Sequence, residues 1–245
     1  MPFFDDSGPR LEQERSPIWR SLALAKDQLE RLILVNLLWA LQTLPLFVAL
    51  AFDQLPWGVR VAFTLYSAGA LVPATAALYA IVADLSEDLP IDRDMLWGHF
   101  KAQLKPGFLK LLPLLSLFYW AALLAGFAAR QGWLIVDTLT RLVFLLLLVF
   151  SLYWGPVLVH EPQLQAWGIF HRSVHYVWKR PGQTLGIGLI CLLALVLGVV
   201  SIAGFMLIVP ALMALFQVQL YLSVRPKSAT FGSARASTSP NAGEA

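Results

Sequence analysis

The sequence contains few charged residues, a single cysteine and no familiar nucleotide-binding or metalloprotease motif. Asp, Glu, Lys and Arg make up only 13% of the 245 residues, whereas 58% are hydrophobic. A soluble domain of this length does not need so apolar a composition, so we predict an integral membrane protein. Because Cys191 is alone, an internal disulfide and a cysteine-based metal cluster are excluded. Neither Gly-x-x-x-x-Gly-Lys-Ser/Thr nor His-Glu-x-x-His occurs, which excludes the ATPases and metalloproteases that those motifs define.

Long uncharged runs divide the chain into predicted membrane spans. An apolar helix of about 20 residues crosses a hydrocarbon core of about 30 Å. The last run, residues 183–224, is too long for one span, and we predict that it turns at residues 201–204. We therefore predict an all-α polytopic membrane protein with two short cytoplasmic helices and six transmembrane helices, at about residues 32–52, 61–83, 108–129, 142–159, 184–202 and 204–223.

The regions outside the membrane domain are predicted from their polarity, and the orientation from their basic residues. Residues 1–31 are expected to be a cytoplasmic segment with an interfacial helix, residues 32–224 the membrane domain, and residues 225–245 a disordered cytoplasmic tail. Of the 18 Lys and Arg residues, all but three fall on one side of the six-span arrangement. The positive-inside rule places that side, with both termini, in the cytoplasm. The exceptions are Arg60, Arg130 and Arg141.

Small and polar residues within the spans predict where helices pack. Alanines recur at a helical spacing from Ala70 to Ala80, which gives one face of the second span a low ridge where neighbours can approach closely. We therefore predict that this span is the central membrane helix. The side-chain amide of Asn36, in the first span, would be costly facing lipid, so it should face other helices. The candidate helix-packing residues are Asn36, Pro73, Thr75 and Ala77.

Ionisable residues are expected to lie outside the interiors of the spans, which disfavours proton relays and ion-coupled carriers. His171 and His175 stand four residues apart on a predicted helix and can share a metal ion, with His160 or Glu161 as a further ligand. No motif fixes that further ligand, so solvated or interfacial histidines are the preferred interpretation. We predict no catalytic residue, no metal and no cofactor.

The two predicted cytoplasmic helices resemble each other. Residues 97–100 read Trp-Gly-His-Phe and residues 167–170 read Trp-Gly-Ile-Phe, and each group precedes a basic residue, Pro-Gly and an apolar span. The spacings differ, which leaves a duplicated unit and a chance similarity both open. The candidate partner-contact residues are Trp97, Phe100, Trp167 and Phe170. An aromatic belt at the membrane surface is the alternative interpretation, and the basic residues beside them need no nucleic acid as a partner, because anionic lipid headgroups suffice.

Three groups of residues carry a resemblance to a known family. They are Asn-Leu-Leu-Trp at residues 36–39 followed by Pro45, Pro-Ala-Thr-Ala-Ala-Leu-Tyr at residues 73–79, and Phe-Lys at residues 100–101 followed by Phe108. In this order they resemble the YesL-like family of bacterial membrane proteins, a domain of unknown function numbered 624. The resemblance implies a multi-span protein of the bacterial cytoplasmic membrane whose relatives accompany carbohydrate uptake systems, including ABC-type sugar importers. It implies no catalytic residue.

The residue patterns, together with what the resemblance implies about carbohydrate uptake, support three functional hypotheses. The first is a non-enzymatic accessory or assembly protein linked to carbohydrate uptake, which contacts the lipid bilayer and an ABC-type sugar transporter or another membrane protein. The alternative is a permease-like transport subunit that works with a separate ATPase. A third hypothesis is an enzyme at the headgroup layer that uses Asp84, Glu87 and His160.

Overall fold

The computed structural model describes residues 17–87 and 93–225. Within this part of the chain every regular element is helical, and five helices are long and apolar enough to cross a membrane. The prediction of an all-α polytopic membrane protein is therefore confirmed. The predicted tail lies outside the described residues from residue 226 onwards. The helices are α1 Pro17–Asp27, α2 Leu29–Ala51, α3 Trp57–Ser86, α4 Arg93–Pro106, α5 Leu112–Arg130, α6 Leu134–Ser151, α7 Trp154–His160, α8 Ala166–Lys179, α9 Pro181–Val200, α10 Ile202–Leu207 and α11 Val209–Val224.

Pro106 and Gly107, a pair of residues typical of a helix end, do not end the first polar helix. A π-helical turn, Gly107–Leu111, joins α4 directly to α5, so the helix continues past the proline. Pro106 has no N–H to donate to the carbonyl group one turn before it. The π-helical turn that follows is closed by the Leu112 N–H, which donates to the Gly107 carbonyl. A Cβ added to Gly107 would lie 3.0 Å from the Cα of Pro73. The glycine therefore permits close contact with α3 rather than ending a helix.

The prediction of an outer loop at residues 130–141, between the third and fourth predicted spans, is wrong, because most of these residues are helical. α6 begins at Leu134, and Gly132 makes the tight turn before it with a positive φ of 69°. Asp137 and Arg141 lie one turn apart on α6 and form an ion pair with an N–O distance of 2.8 Å. Pairing at this spacing stabilises charged side chains on a helix, so they do not mark a loop. The pair lies near the start of α6, outside the predicted span at residues 142–159.

The predicted sixth span, residues 204–223, is divided in the structure. α10 and α11 are separated at Ile208, whose φ of −147° is not helical, and Pro210 lies in the first turn of α11 instead of kinking a longer helix. α11 has 16 residues, a length of about 24 Å, which is shorter than a typical hydrocarbon core. The structure therefore contains five long candidate spans and this shorter apolar helix, rather than six spans of similar length.

The short α11 lies at the centre of the described fold. It packs against α1, α2, α3, α7 and α9, and most of its side chains are buried. Its main partner is the second half of α3, where most residues from Val72 to Ser86 are buried, in agreement with the prediction that this span is central. A helix surrounded by other helices does not have to match the bilayer thickness, because its ends contact protein.

α1 packs against α11 through its small residues. Ser21 and Ala25 are buried there, and Ala25 belongs to the same apolar cluster as Leu215. Two large apolar side chains of α1, Trp19 and Leu22, are exposed. These two side chains face away from the protein, whereas Ile18 and Leu24 pack against its core.

A second close approach joins α7 to α3. A Cβ added to Gly155 would lie 2.3 Å from ring carbons of Tyr79. The hydroxyl group of that ring donates a hydrogen bond to Oε1 of Gln217 on α11, which restrains the position of the ring. The missing side chain of Gly155 therefore lets α3, α7 and α11 meet around one tyrosine.

We expect Gly155→Ala to lower the free energy of unfolding by about 1–3 kcal/mol, because the new methyl group displaces the Tyr79 ring from a packed site. SDS titration of the detergent-solubilised protein measures this change. Gly126→Ala is the matched control, since a Cβ on Gly126 meets no atom within 4 Å and alanine favours helix by up to about 1 kcal/mol. Equal stability of the two variants would contradict the assigned role of Gly155.

Candidate functional site

Asn36 forms the most extensive polar contact among the candidate packing residues. Its buried side-chain amide donates to the carbonyl oxygens of Phe205 at 3.2 Å and Met206 at 2.7 Å. Its Oδ1 accepts the N–H of Ala211 at 2.9 Å. These backbone groups lie at the end of α10 and the start of α11, where a helix cannot satisfy its own donors and acceptors. One side chain of α2 thus bridges the break between the two helices.

The other candidate packing residues lie on the buried half of α3. Pro73 meets Gly107 in the close contact described above, and Ala77 is buried. The Thr75 Oγ1 accepts a hydrogen bond of 3.0 Å from the indole N–H of Trp39 on α2. α3 therefore contacts its neighbours through residues whose side chains are small or hydrogen-bonded to the neighbouring helix, as helices in lipid commonly do.

Trp97 and Phe100 form a stacked pair on α4. Their ring centres are 5.5 Å apart, the planes differ by 11°, and 58% of the Trp97 surface is exposed. The Lys101 Nζ lies 5.5 Å from the centre of the Trp97 ring, within the range of a cation–π contact. Nearby, His99 Nε2 lies 2.7 Å from Asp84 Oδ2, which ties α4 to the end of α3.

Trp167 and Phe170 repeat this arrangement on α8. Their ring centres are 5.3 Å apart, the planes differ by 18°, and 73% of the Trp167 surface is exposed. Phe170 also packs edge-on against Phe150 of α6, at 5.8 Å between ring centres. Unlike α4, α8 does not continue into the next helix, because Arg180 has a non-helical backbone. The local similarity between the two segments thus ends where their apolar spans begin.

The structure places the two aromatic pairs in different surroundings. Trp97 and Phe100 border a groove between α2 and α3, whereas Phe170 lies beside α6. The outer face of α8 carries an additional tryptophan, Trp178, together with His171 and His175. The buried side of α8 consists of Ile169, Ser173 and Tyr176.

A carboxylate on the loop before α8 connects that helix to α11. Glu161 Oε1 accepts hydrogen bonds from the hydroxyl groups of Tyr176 at 3.0 Å and Tyr221 at 3.1 Å. Its Oε2 lies 3.1 Å from the Arg172 Nε. The Glu161 side chain is only 12% exposed, so its contacts with the two tyrosines are shielded from solvent, whereas the Arg172 side chain is 49% exposed.

The surroundings of Tyr176 keep it suited to donate this hydrogen bond. Burial raises the pKa of its phenol above the usual value, and the negative charge of Glu161 raises that pKa further. The hydroxyl therefore remains protonated over the physiological pH range. In the sequence, Glu161 stands out only as a candidate metal ligand, and its hydrogen-bond network is not visible there because Tyr221 is 60 residues away.

The histidines are distributed around this network. His160 Nδ1 lies 2.9 Å from the Pro156 carbonyl oxygen, and its ring packs on Tyr221 with centres 4.8 Å apart. His171 and His175 are exposed. Within residues 17–87 and 93–225, no group of three or more His, Cys, Asp and Glu side chains is arranged to hold a metal ion.

Comparisons with protein-family models, with curated proteins and with solved structures find no match to this chain. The fold and the candidate sites define its class, which is an all-α membrane protein with five candidate spanning helices. The resemblance to the YesL-like family stays a prediction.

We expect Glu161→Ala to lower the free energy of unfolding by about 2–3 kcal/mol, because the buried Tyr176 and Tyr221 hydroxyl groups lose their acceptor. Glu161→Gln retains an acceptor oxygen and should cost less. The measurement is SDS-induced unfolding, with Glu30→Ala, an exposed glutamate on α2, as the control. A Glu161→Ala protein as stable as this control would show that the network does not hold α8 to α11.

Proposed function

We propose that this chain is a non-enzymatic accessory or assembly protein of the bacterial cytoplasmic membrane, with both termini in the cytoplasm. It binds a partner membrane protein through the outer face of α8. The resemblance to the YesL-like family suggests that this partner belongs to a carbohydrate uptake system, such as an ABC-type sugar transporter.

The observation that carries this proposal is the exposed face of α8. Trp167, His171, His175 and Trp178 share one side of the helix, opposite the buried Ile169 and Tyr176. Tryptophan and arginine dominate the binding energy of many protein interfaces, because they bury a large area and also offer polar contacts.

The attachment of α8 also supports a binding role. The Glu161 network attaches the C-terminal half of the helix, at Arg172 and Tyr176, to α11, and the Lys179 Nζ at its last residue donates to the Val224 carbonyl at 3.1 Å. A surface held by contacts of this kind loses little conformational entropy when a partner binds. The aromatic side chains are therefore presented on a fixed helix.

A photoreactive amino acid at position 167, and separately at position 178, tests the proposal in intact cells. We expect both positions to capture the same membrane protein, and mass spectrometry of the adducts identifies it. A photoreactive residue at Trp57, which is exposed at the other end of α3, is the control and should not capture that protein. The captured protein should then co-purify with the wild-type chain in mild detergent and not with the Trp167→Ala, Trp178→Ala variant.

Adducts with lipid alone, or with a second copy of the chain alone, would contradict the accessory role. A partner unrelated to carbohydrate uptake would overturn that part of the proposal and leave the binding role intact. If the partner were an ATPase whose activity rose on co-reconstitution with this chain, the permease-like alternative would replace the accessory role.

A further inference from the structure

We propose that the groove between α2, α3 and α4 binds one anionic phospholipid, with an acyl chain inside the groove and the phosphate at Lys101. The groove has a volume of about 310 Å³ and is lined by residues of these three helices. This inference concerns a different surface from α8 and does not depend on the proposed partner.

The shape of the groove follows from small residues on α3. Ala74 and Ala77 line it where larger side chains would fill the space between the helices. On α2, Leu34, Leu38 and Gln42 follow one another at single-turn intervals along its length. Eight residues of helix rise about 12 Å, so the groove is elongated like a segment of hydrocarbon chain. Its volume falls within the usual range for small-molecule sites.

The polar side chains in the groove wall already have partners in the protein. The Trp39 indole N–H donates to Thr75, and Gln42 Oε1 accepts a hydrogen bond of 2.8 Å from the Tyr66 hydroxyl. The rest of the lining consists of aliphatic and aromatic side chains, including Leu34, Leu38 and Ile81. Such a wall favours hydrocarbon over a polar ligand, because a hydrocarbon chain needs no hydrogen bonds.

The end of the groove at α4 has the chemistry of a phospholipid headgroup site. The stacked Trp97 and Phe100 border the groove, and indole rings favour the level of the headgroups. Lys101 lies over the outer ring of this pair and is exposed to solvent. Arg31 is also exposed, one turn before Leu34 and Val35 on α2. Two cations from different helices thus flank an apolar groove, which matches a negatively charged phosphate joined to an acyl chain.

The position of α4 over the groove depends on its contact with α3. The Asp84–His99 pair joins the two helices at this end, and the continuous passage from α4 into α5 fixes the other end of α4 at Gly107. The aromatic pair therefore has a defined position at the end of the groove.

Native mass spectrometry of the full chain in mild detergent tests the site with two probes, phosphatidylglycerol and phosphatidylcholine that carry identical acyl chains. We expect one tightly bound phosphatidylglycerol, held at least about fivefold more tightly than phosphatidylcholine, because the basic side chains beside the groove attract the anionic headgroup. Lys101→Gln should lower this preference, and Lys101→Gln combined with Arg31→Gln should remove it. Arg130→Gln, at the other end of α5, is the charge control and should retain it.

Filling the groove tests the acyl-chain part separately. Leu38→Trp should weaken the binding of both lipids roughly tenfold, because the larger ring occupies the space of the chain. Leu41→Trp, on the same helix but outside the groove, should leave binding unchanged. Leu34→Trp fills the groove at another position and replaces Leu38→Trp if circular dichroism shows that the latter is unfolded.

Two results would overturn the proposal. Equal binding of the two lipids by the wild-type chain would exclude an anionic headgroup site. Equal loss of lipid from the Leu38→Trp and Leu41→Trp variants would show that lipid binds the general surface of the helices rather than this groove.

Discussion

The hydrogen bonds of Asn36 hold together a break in the backbone at the centre of this protein. Where α10 ends and α11 begins, two carbonyl groups and one N–H lack partners within their own helices, and Asn36 supplies all three contacts. An unsatisfied backbone group in an apolar interior costs several kcal/mol, so a break in this position needs such a partner. Because α11 contacts most of the other helices, their arrangement depends on where it begins.

Missing side-chain volume determines how closely the helices surround this centre. Gly107 lets the helix that contains α4 approach Pro73, and Gly155 lets α7 approach Tyr79. Ala74 and Ala77 act differently, because space remains beside them and forms the groove between α2 and α3. Small residues on α3 thus produce both the tight contacts of the core and a cavity at its edge, which links packing to the proposed lipid site.

The sequence predicts the fold class well because hydrophobic length is a strong signal. The prediction fails where the same residues are compatible with two different local structures. Pro106 and Gly107 are typical of a helix end, yet a π-helical turn and the contact with Pro73 keep the helix continuous. Asp137 and Arg141 look like loop residues because they are charged, yet they pair on α6. The early end of α10 depends on contacts with α2, and no pattern of side chains within residues 204–223 reveals those contacts.

The candidate sites show the same limit. Exposed tryptophans on polar helices are visible in the sequence, and Asn36 is expected there to face other helices. Its partners are backbone atoms distant in the sequence, so the pattern cannot identify them. The Glu161 network also joins residues that are distant in the sequence, on α8 and at Tyr221 of α11, so the sequence pattern does not identify it either. The groove at Trp97 depends on the relative placement of three helices, which hydropathy does not determine.

The central claim is that Asn36 stabilises the start of α11. Hydrogen–deuterium exchange of the full chain in lipid nanodiscs, compared between the wild type and Asn36→Ala, tests it most directly. We expect exchange of the backbone amides at residues 205–213 to increase about tenfold or more in the variant, because opening of the break becomes easier. Amides in the middle of α5, which does not contact Asn36, should be unchanged. Equal exchange at residues 205–213 in the two proteins would contradict the claim.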